Sequence, residues 1–426
     1  MKLSVKFSAF ISAATLGFVV AGPAQAQNVA ISADHLYSMD STTPQGGPGL
    51  VLIRDGKIEA VRNGANLSAP AGYQALHAAY VTPGLIDTDT TTGVSGAYNI
   101  PADQDQDEST DPNTADVHVR DSLNPQDLLY RYVNSFGVTT LQVAPGDRNP
   151  IAGVAGIFKT VGPQSAITTV DQISLRPESA MVFNLGEGPK ETYGAARKAP
   201  MTRMKTAEII RHALLDAQQY RAKWEKWQKD GGDATKLPTL DTRLAVLADV
   251  VAGKLPAIFN AYRADDIDTA IRIGTEFHLK YMIASATEAY LITDVIRKAG
   301  VPVLLGPVMQ APFRHETANA TYENAALVNQ AGIPMALMTG YEAYVPKSRI
   351  LIFEAAIAAA NGLGLEGALR AITISAAKIL GVDNKLGSLA AGKDADVVLF
   401  DGDPFEYTSH AQTVLVGGAV TYQRAP

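Results

Sequence analysis

Asp87 and Asp89 stand two residues apart in the run Tyr80-Val81-Thr82-Pro83-Gly84-Leu85-Ile86-Asp87-Thr88-Asp89. Alternate residues of a strand share a side, so two carboxylates at this spacing offer two oxygen donors to one divalent ion near Asp87 and Asp89, of the kind that Mg²⁺ or Ca²⁺ prefers. Zinc wants imidazole or thiolate as well. The chain has no cysteine, which removes thiolate ligands, disulfides, a cysteine nucleophile and lipid attachment at cysteine. It has seven histidines, His35, His77, His118, His212, His278, His315 and His410, and no two of them lie at i,i+2 or i,i+4. His278 and His410 read as solvated or structural. His315, in Pro312-Phe313-Arg314-His315-Glu316-Thr317 after an apolar run, has a path to a pocket mouth, because loops that follow barrel strands line that face. Ser95 and Ser285 sit in no G-x-S-x-G elbow and have no evident histidine base.

These residues need elements to hold them. Between positions 138 and 337, short apolar runs alternate with helical periods: Val138 to Val143; Pro256 to Phe259, then a helix from about Asp265; Tyr281 to Ala284, then a helix from about Thr287 that stops at Gly300; Val301 to Leu305; a helix over Tyr322 to Ala331; and Pro334 to Leu337. Strands this brief and uniformly apolar are buried on both faces of a parallel sheet. At the two ends of the chain, short strand-like runs appear instead, one pair broken by Asp55-Gly56, a strong hairpin signal. The expected architecture is α/β, a (β/α)₈ TIM barrel over 81–384 with a small β-sandwich domain built from both chain ends, 27–80 plus 385–426. Two stretches interrupt the repeat. Met201 to Lys229 reads as one long helix with Trp224 and Trp227 on a packing face. Asp103 to Glu108 reads as a solvated acidic loop over the barrel mouth, since Glu108 stands where a calcium-binding EF-hand turn needs glycine.

The 426 residues are 46% hydrophobic and 19% charged, enough for a large core and far from a disordered composition. A net charge of −7 with no basic cluster argues against a nucleic-acid partner. Lys2 and Lys6, the apolar stretch Phe7 to Ala21, and Ala24-Gln25-Ala26 read as a signal peptide over 1–26, cleaved near Ala26. The expectation is a periplasmic protein. No membrane partner is expected, since the apolar stretch is short of the roughly 18 to 20 residues that span a bilayer.

Four blocks then resemble the amidohydrolase superfamily, especially its imidazolonepropionase-like and prolidase-like exported members. They are Val81 to Asp87; Asn99 to Asp105 through Asn149-Pro150-Ile151; Arg263-Ala264-Asp265-Asp266-Ile267; and Gly387-Ser388-Leu389-Ala390-Ala391-Gly392-Lys393-Asp394-Ala395-Asp396, the return to the β domain. The resemblance implies a barrel with one or two divalent metals at the C-terminal strand ends, where metal-bound water of pKa about 7 attacks a C–N bond. In such relatives an H-x-H pair on the first strand, further histidines, a bridging lysine and a last aspartate hold and use the metal. Carried onto this chain, the pair falls on Asp89 and Thr91, the lysine on Val182, the next histidines on Asn260, with Tyr262 two residues on, and on Ser285, and the aspartate on Gly340, after Thr339.

The reading that follows is a scaffold whose metal ligands have been exchanged. The protein is expected to be metal-free and catalytically degenerate, with no catalytic residue to name, and to work as subunit or binding partner of an active amidohydrolase paralogue, or as a homo-oligomer. Its pocket, lined by Asp89, Thr91, Asn260, Tyr262, Ser285 and Thr339, would take a small polar ligand. The alternative is an active hydrolase of cyclic amides or dipeptides with one divalent metal near Asp87 and Asp89.

Overall fold

The computed structural model describes residues 28–161, 168–312, 314–340 and 348–425. The expected signal segment lies outside the described residues. From the N-terminal end come β1 (Val29–Leu36), β2 (Gly47–Arg54), β3 (Lys57–Asn63) and β4 (Gln74–Pro83), followed by β5 (Leu85–Thr90), which opens the barrel. β6 (Val138–Val143), β7 (Ile151–Lys159), β8 (Ser174–Asn184), β9 (Ala257–Ala261), β10 (Tyr281–Ser285), β11 (Val303–Leu305) and β12 (Met335–Leu337) complete the barrel. The chain then returns to the first sheet with β13 (Val397–Phe400), β14 (Ala411–Val416) and β15 (Ala419–Gln423).

The small sheet has the order β15-β14-β13-β4-β1-β2-β3. The Asp55-Gly56 turn joins β2 to β3 with both residues at positive φ, 50° and 77°, the geometry a two-residue hairpin needs. Val29, Ile31, Val51 and Ile53 face one apolar cluster while Ala30, Leu50 and Leu52 face another, so period-2 alternation lets both sides of this sheet bury. β4 runs to Pro83, and Gly84 then turns the chain into the barrel with its N–H on the Asp396 carbonyl. A Cβ at Gly84 would lie 2.2 Å from Thr139 Oγ1, so the glycine of the Val81-to-Asp87 block is a requirement of close approach. Gly387 has a comparable reason: its φ is +83°, and a Cβ would lie 2.6 Å from the Ala377 Cβ.

The eight barrel strands lie side by side in chain order, and a bridge between Thr90 and Gly340 brings the last edge to the first. One cluster holds Ile86, Val182, Ile258, Ala284, Leu304 and Ala336; a second holds Leu85, Phe183, Phe259, Ile283, Leu305 and Leu337 with the apolar faces of the helices. Both strand faces are therefore buried, as uniform apolar runs require. One strand departs from the expected parallel repeat: β7 is antiparallel to both β6 and β8. The connection over 144–150 is too short for a crossover, which takes a dozen residues or more, so the chain can only double back.

The long helix is Arg203–Lys229, with Trp224 and Trp227 edge to face at 5.7 Å between centroids. The helix expected from Thr287 instead begins at Thr293, after a short turn over Ala289–Leu291. Thr287 caps nothing there; its hydroxyl accepts from Gln310 Nε2 at 2.9 Å. Gly300 ends the helix at φ 68° as expected of a left-handed C-terminal residue. The acidic loop is not simply solvated. Asp103 accepts from the backbone N–H groups of Tyr98 and Ile100, while Asp107 accepts from the Arg148 N–H and is pushed up to about 6, by burial first and the Asp147 charge second.

Candidate functional site

The polar set gathers at the C-terminal ends of β5, β8, β9, β10 and β12. Asn184 and Asn260 each follow an interior apolar residue, Val182 and Ile258, by two positions, and neighbouring strands place them side by side. Asn260 Nδ2 donates to Asn184 Oδ1 at 2.8 Å, and Asn184 Nδ2 donates to the carbonyls of Gly146 and Asn149. On the other side Ser285 Oγ donates to Asn260 Oδ1 at 3.4 Å, and the Ser285 side chain hydrogen-bonds the Tyr262 phenol. Ser285 and Ala286 hold φ of 68° and 51°, a left-handed pair at non-glycine residues; strain of this kind persists only where the surroundings over-determine it. Burial, more than the nearby Asp147 charge, raises the Tyr262 phenol far above its ordinary range.

Asp87 is occupied. Its carboxylate accepts from the Thr339 N–H at 3.1 Å and the Thr339 hydroxyl at 2.5 Å. Burial pushes it up to about 6, with the Thr339 and Ser348 hydrogen bonds pulling the other way. Asp89 is different: it is buried, its Oδ2 has no hydrogen-bond partner, and burial together with the charges of Asp87 and Asp147 pushes it up to about 8. At neutral pH this group is a carboxylic acid with an unengaged oxygen. Thr91 Oγ1 and Ser95 Oγ are likewise buried without partners.

Of the six residues expected to line the pocket, the structure links Asn260, Ser285 and Tyr262 in one hydrogen-bonded line and leaves Asp89 and Thr91 with free polar atoms. Thr339 is committed to Asp87. Three participants were not anticipated. Asn184 lies two residues beyond Val182, which is packed in the apolar interior, so the polar position of β8 is its last residue. Asp147 lies in the β6–β7 turn, and its charge acts on Asp89 and Tyr262. Glu316 is buried, accepts from the Glu187 N–H at 2.5 Å, and is pushed up to about 8 by burial first and then by neighbouring carboxylates. Arg203 lies 3.0 Å from Asp266, 3.7 Å from Glu187 and 3.8 Å from Glu316. A terminal polar residue after an apolar strand was the available signal for Asn184. His315 stays at the surface with its Nε2 against Arg263.

An amidohydrolase from Thermotoga maritima superimposes with a TM-score of 0.85 and 31% identity, over 93% of this chain and 100% of that one. The chain belongs to the amidohydrolase superfamily. The amidohydrolase family model matches residues 234–422. Among curated proteins it is similar to the amidohydrolase tasK of Hapsidospora irregularis, at 25% identity over 88% of this chain and 40% of that protein. It is also similar to an imidazolonepropionase of Caldanaerobacter subterraneus, at 22% identity over 66% of this chain and 64% of that one. The chain thus spans about two fifths and just under two thirds of the lengths of these curated relatives. A prolidase bound to N-methylphosphonate-L-proline shares the fold at 16% identity and a TM-score of 0.56, covering 93% of this chain and 100% of that one.

The superfamily's metal centre can be tested against these donors. Asp87 has its acceptor capacity turned to Thr339, Asp89 offers one free oxygen, and the remaining positions are amide, hydroxyl and phenol. Among the described residues no three of histidine, cysteine, aspartate or glutamate are placed to share an ion. Zinc held for hydrolysis needs three protein ligands with an open fourth position. The described residues do not offer them, and their donor set does not fit the ion.

Proposed function

We propose that this amidohydrolase-superfamily protein is a catalytically degenerate member that binds a small polar molecule at the barrel mouth and works as subunit or partner of an active amidohydrolase. The observation that carries this reading is the Asp87–Thr339 pairing. A carboxylate at the strand end is engaged by a backbone N–H and a hydroxyl, where a hydrolytic centre would turn it to the metal or its water. The amide line of Asn184, Asn260 and Ser285 then presents groups that orient a ligand and have no basicity with which to activate water. The partner role draws support from length. Three fifths of the tasK protein lies outside the stretch matched by this chain, so that relative carries this kind of unit joined to further polypeptide.

Export to the periplasm belongs to the same proposal and rests on Lys2, Lys6, the apolar stretch to Ala21 and the Ala24-Gln25-Ala26 site. One preparation tests all of it. Protein recovered from the periplasmic fraction should begin near Gln27, contain far less than one zinc per chain, retain a companion amidohydrolase on gentle purification, and leave cyclic amides and dipeptides unhydrolysed. Stoichiometric metal, with turnover lost on chelation and on Asp89→Ala, would establish the oxygen-rich hydrolase in its place.

A further inference from the structure

We propose that a second pocket, at the seam between the barrel's outer helices and the small sheet, binds an organic monoanion with an aromatic or apolar body, of the arylalkanoate class. The cavity measures about 620 Å³, within the range of small-molecule sites, which favour domain seams of this kind. Its walls come from several parts of the chain, the connection between β13 and β14 with Tyr407 among them. Tyr132 and Phe136 come from the helix Leu128–Asn134 and the turn after it, Phe353 from the helix Leu351–Ala358, and Tyr422 from β15. Such walls suit a flat apolar body.

The charge at this pocket decides what that body must carry. Arg349 and Arg424 both line it. The Arg349 guanidinium lies over the Tyr132 ring, 5.8 Å from its centroid, and has no carboxylate partner among the described residues. Arg424 lies 3.9 Å from Asp401, a carboxylate that also faces His410 Nδ1 at 3.7 Å. Of the two guanidiniums only that of Arg424 faces a carboxylate, which leaves the Arg349 charge unbalanced beside an aromatic wall. A guanidinium meets a carboxylate through two parallel N–H donors, a fit that a point charge lacks. Phosphate or sulfate alone would leave the aromatic walls wet, and a cation would meet the wrong sign.

The position of Arg349 is also held in advance. Its neighbour Ser348 is fully buried, with its hydroxyl 2.8 Å from Thr90 Oγ1 and 2.9 Å from Thr92 Oγ1 at the end of β5. A pre-placed guanidinium loses less freedom when a ligand arrives. The barrel mouth, by contrast, holds amide, hydroxyl and phenol groups, so this site stands or falls apart from the degenerate-subunit reading.

The test is calorimetric titration of the full chain with 3-phenylpropionate, with 3-phenylpropan-1-ol and 3-phenylpropan-1-amine as controls for charge. Saturable 1:1 binding of the carboxylate is expected, with the alcohol weaker by about tenfold or more and the amine silent. Arg349→Met should weaken binding by about tenfold, Arg349→Lys by less, and Arg349→Met with Arg424→Met should remove it while the circular dichroism spectrum is unchanged. No saturation up to about 10 mM carboxylate, equal binding of the three ligands, or undiminished affinity in the folded double variant would each overturn the proposal.

Discussion

Lys159→Met is expected to destabilise the fold by about 3–5 kcal/mol, because it leaves a buried carboxylate without its counter-charge. Lys159 closes β7, and its ammonium meets Asp396 directly and Asp394 at 3.6 Å. The Lys159 and Asp396 side chains are only 11% and 5% exposed. Asp396 also accepts from the Gly417 N–H at 2.9 Å through its side chain and from the Gly84 N–H at 2.9 Å through its carbonyl. One residue thus ties the barrel's reversed strand, the entry to β5 and the turn between β14 and β15. Removing the lysine strands the carboxylate, whereas Lys159→Met with Asp396→Asn removes both charges and keeps an acceptor for Gly417. Urea unfolding of the two single variants and the double variant should show the double recovering most of the loss. A single-variant cost under about 1 kcal/mol would mean that water reaches the pair and that it behaves as a surface ion pair.

Asp89→Asn should stabilise the protein, and the gain should grow with pH. The Asp89 carboxyl titrates near 3.8 in an unfolded chain and is pushed up to about 8 in the fold, by burial first and then by the charges of Asp87 and Asp147. Between those values the folded protein keeps a proton that the unfolded chain has released. Native stability therefore declines as pH rises through that window, at up to about 1.4 kcal/mol per pH unit for a single group. Asparagine keeps the shape and cannot ionise. The variant should match the parent near pH 4 and exceed it by a few kcal/mol at pH 8, read as thermal or urea midpoints across that range. Loss of stability in Asp89→Asn at pH 8 would be informative in another way: it would mean that the aspartate is ionised and matched by a cation, the arrangement the oxygen-rich hydrolase requires.

Much of the frame was legible because its causes are local. Asp55-Gly56 marks a turn that only residues tolerant of positive φ can make, and β2 and β3 flank it. Val138 to Val143 is β6 to the residue, and Gly300 ends its helix in the left-handed conformation. The reversal of β7 was harder to see. Ile151 to Lys159 is an apolar run whichever way it points, and only the short connection over 144–150 betrays its direction. The start of the helix at Thr293 was hidden for a related reason: Thr287 has the right type for a cap, and Gln310, on another loop, takes its hydroxyl instead. Asp107 reads as one more solvated acid in a polar stretch until the Arg148 N–H and the Asp147 charge are seen beside it.

The amino-acid sequence alone determined which donors this barrel has to work with: two aspartates on its first strand, and asparagine, serine and threonine near the later strand ends. Tertiary structure decided which of those donors remain free. Thr339 reaches Asp87 across 252 residues of chain and uses it up, Asn184 takes hold of Asn260 across 76, and Asp89 is left with an oxygen that nothing answers. The division has a physical basis. Residue type sets what a side chain can donate, accept or ionise, but whether it is spent depends on a partner of matching geometry and on the loss of water, and only the folded chain supplies both.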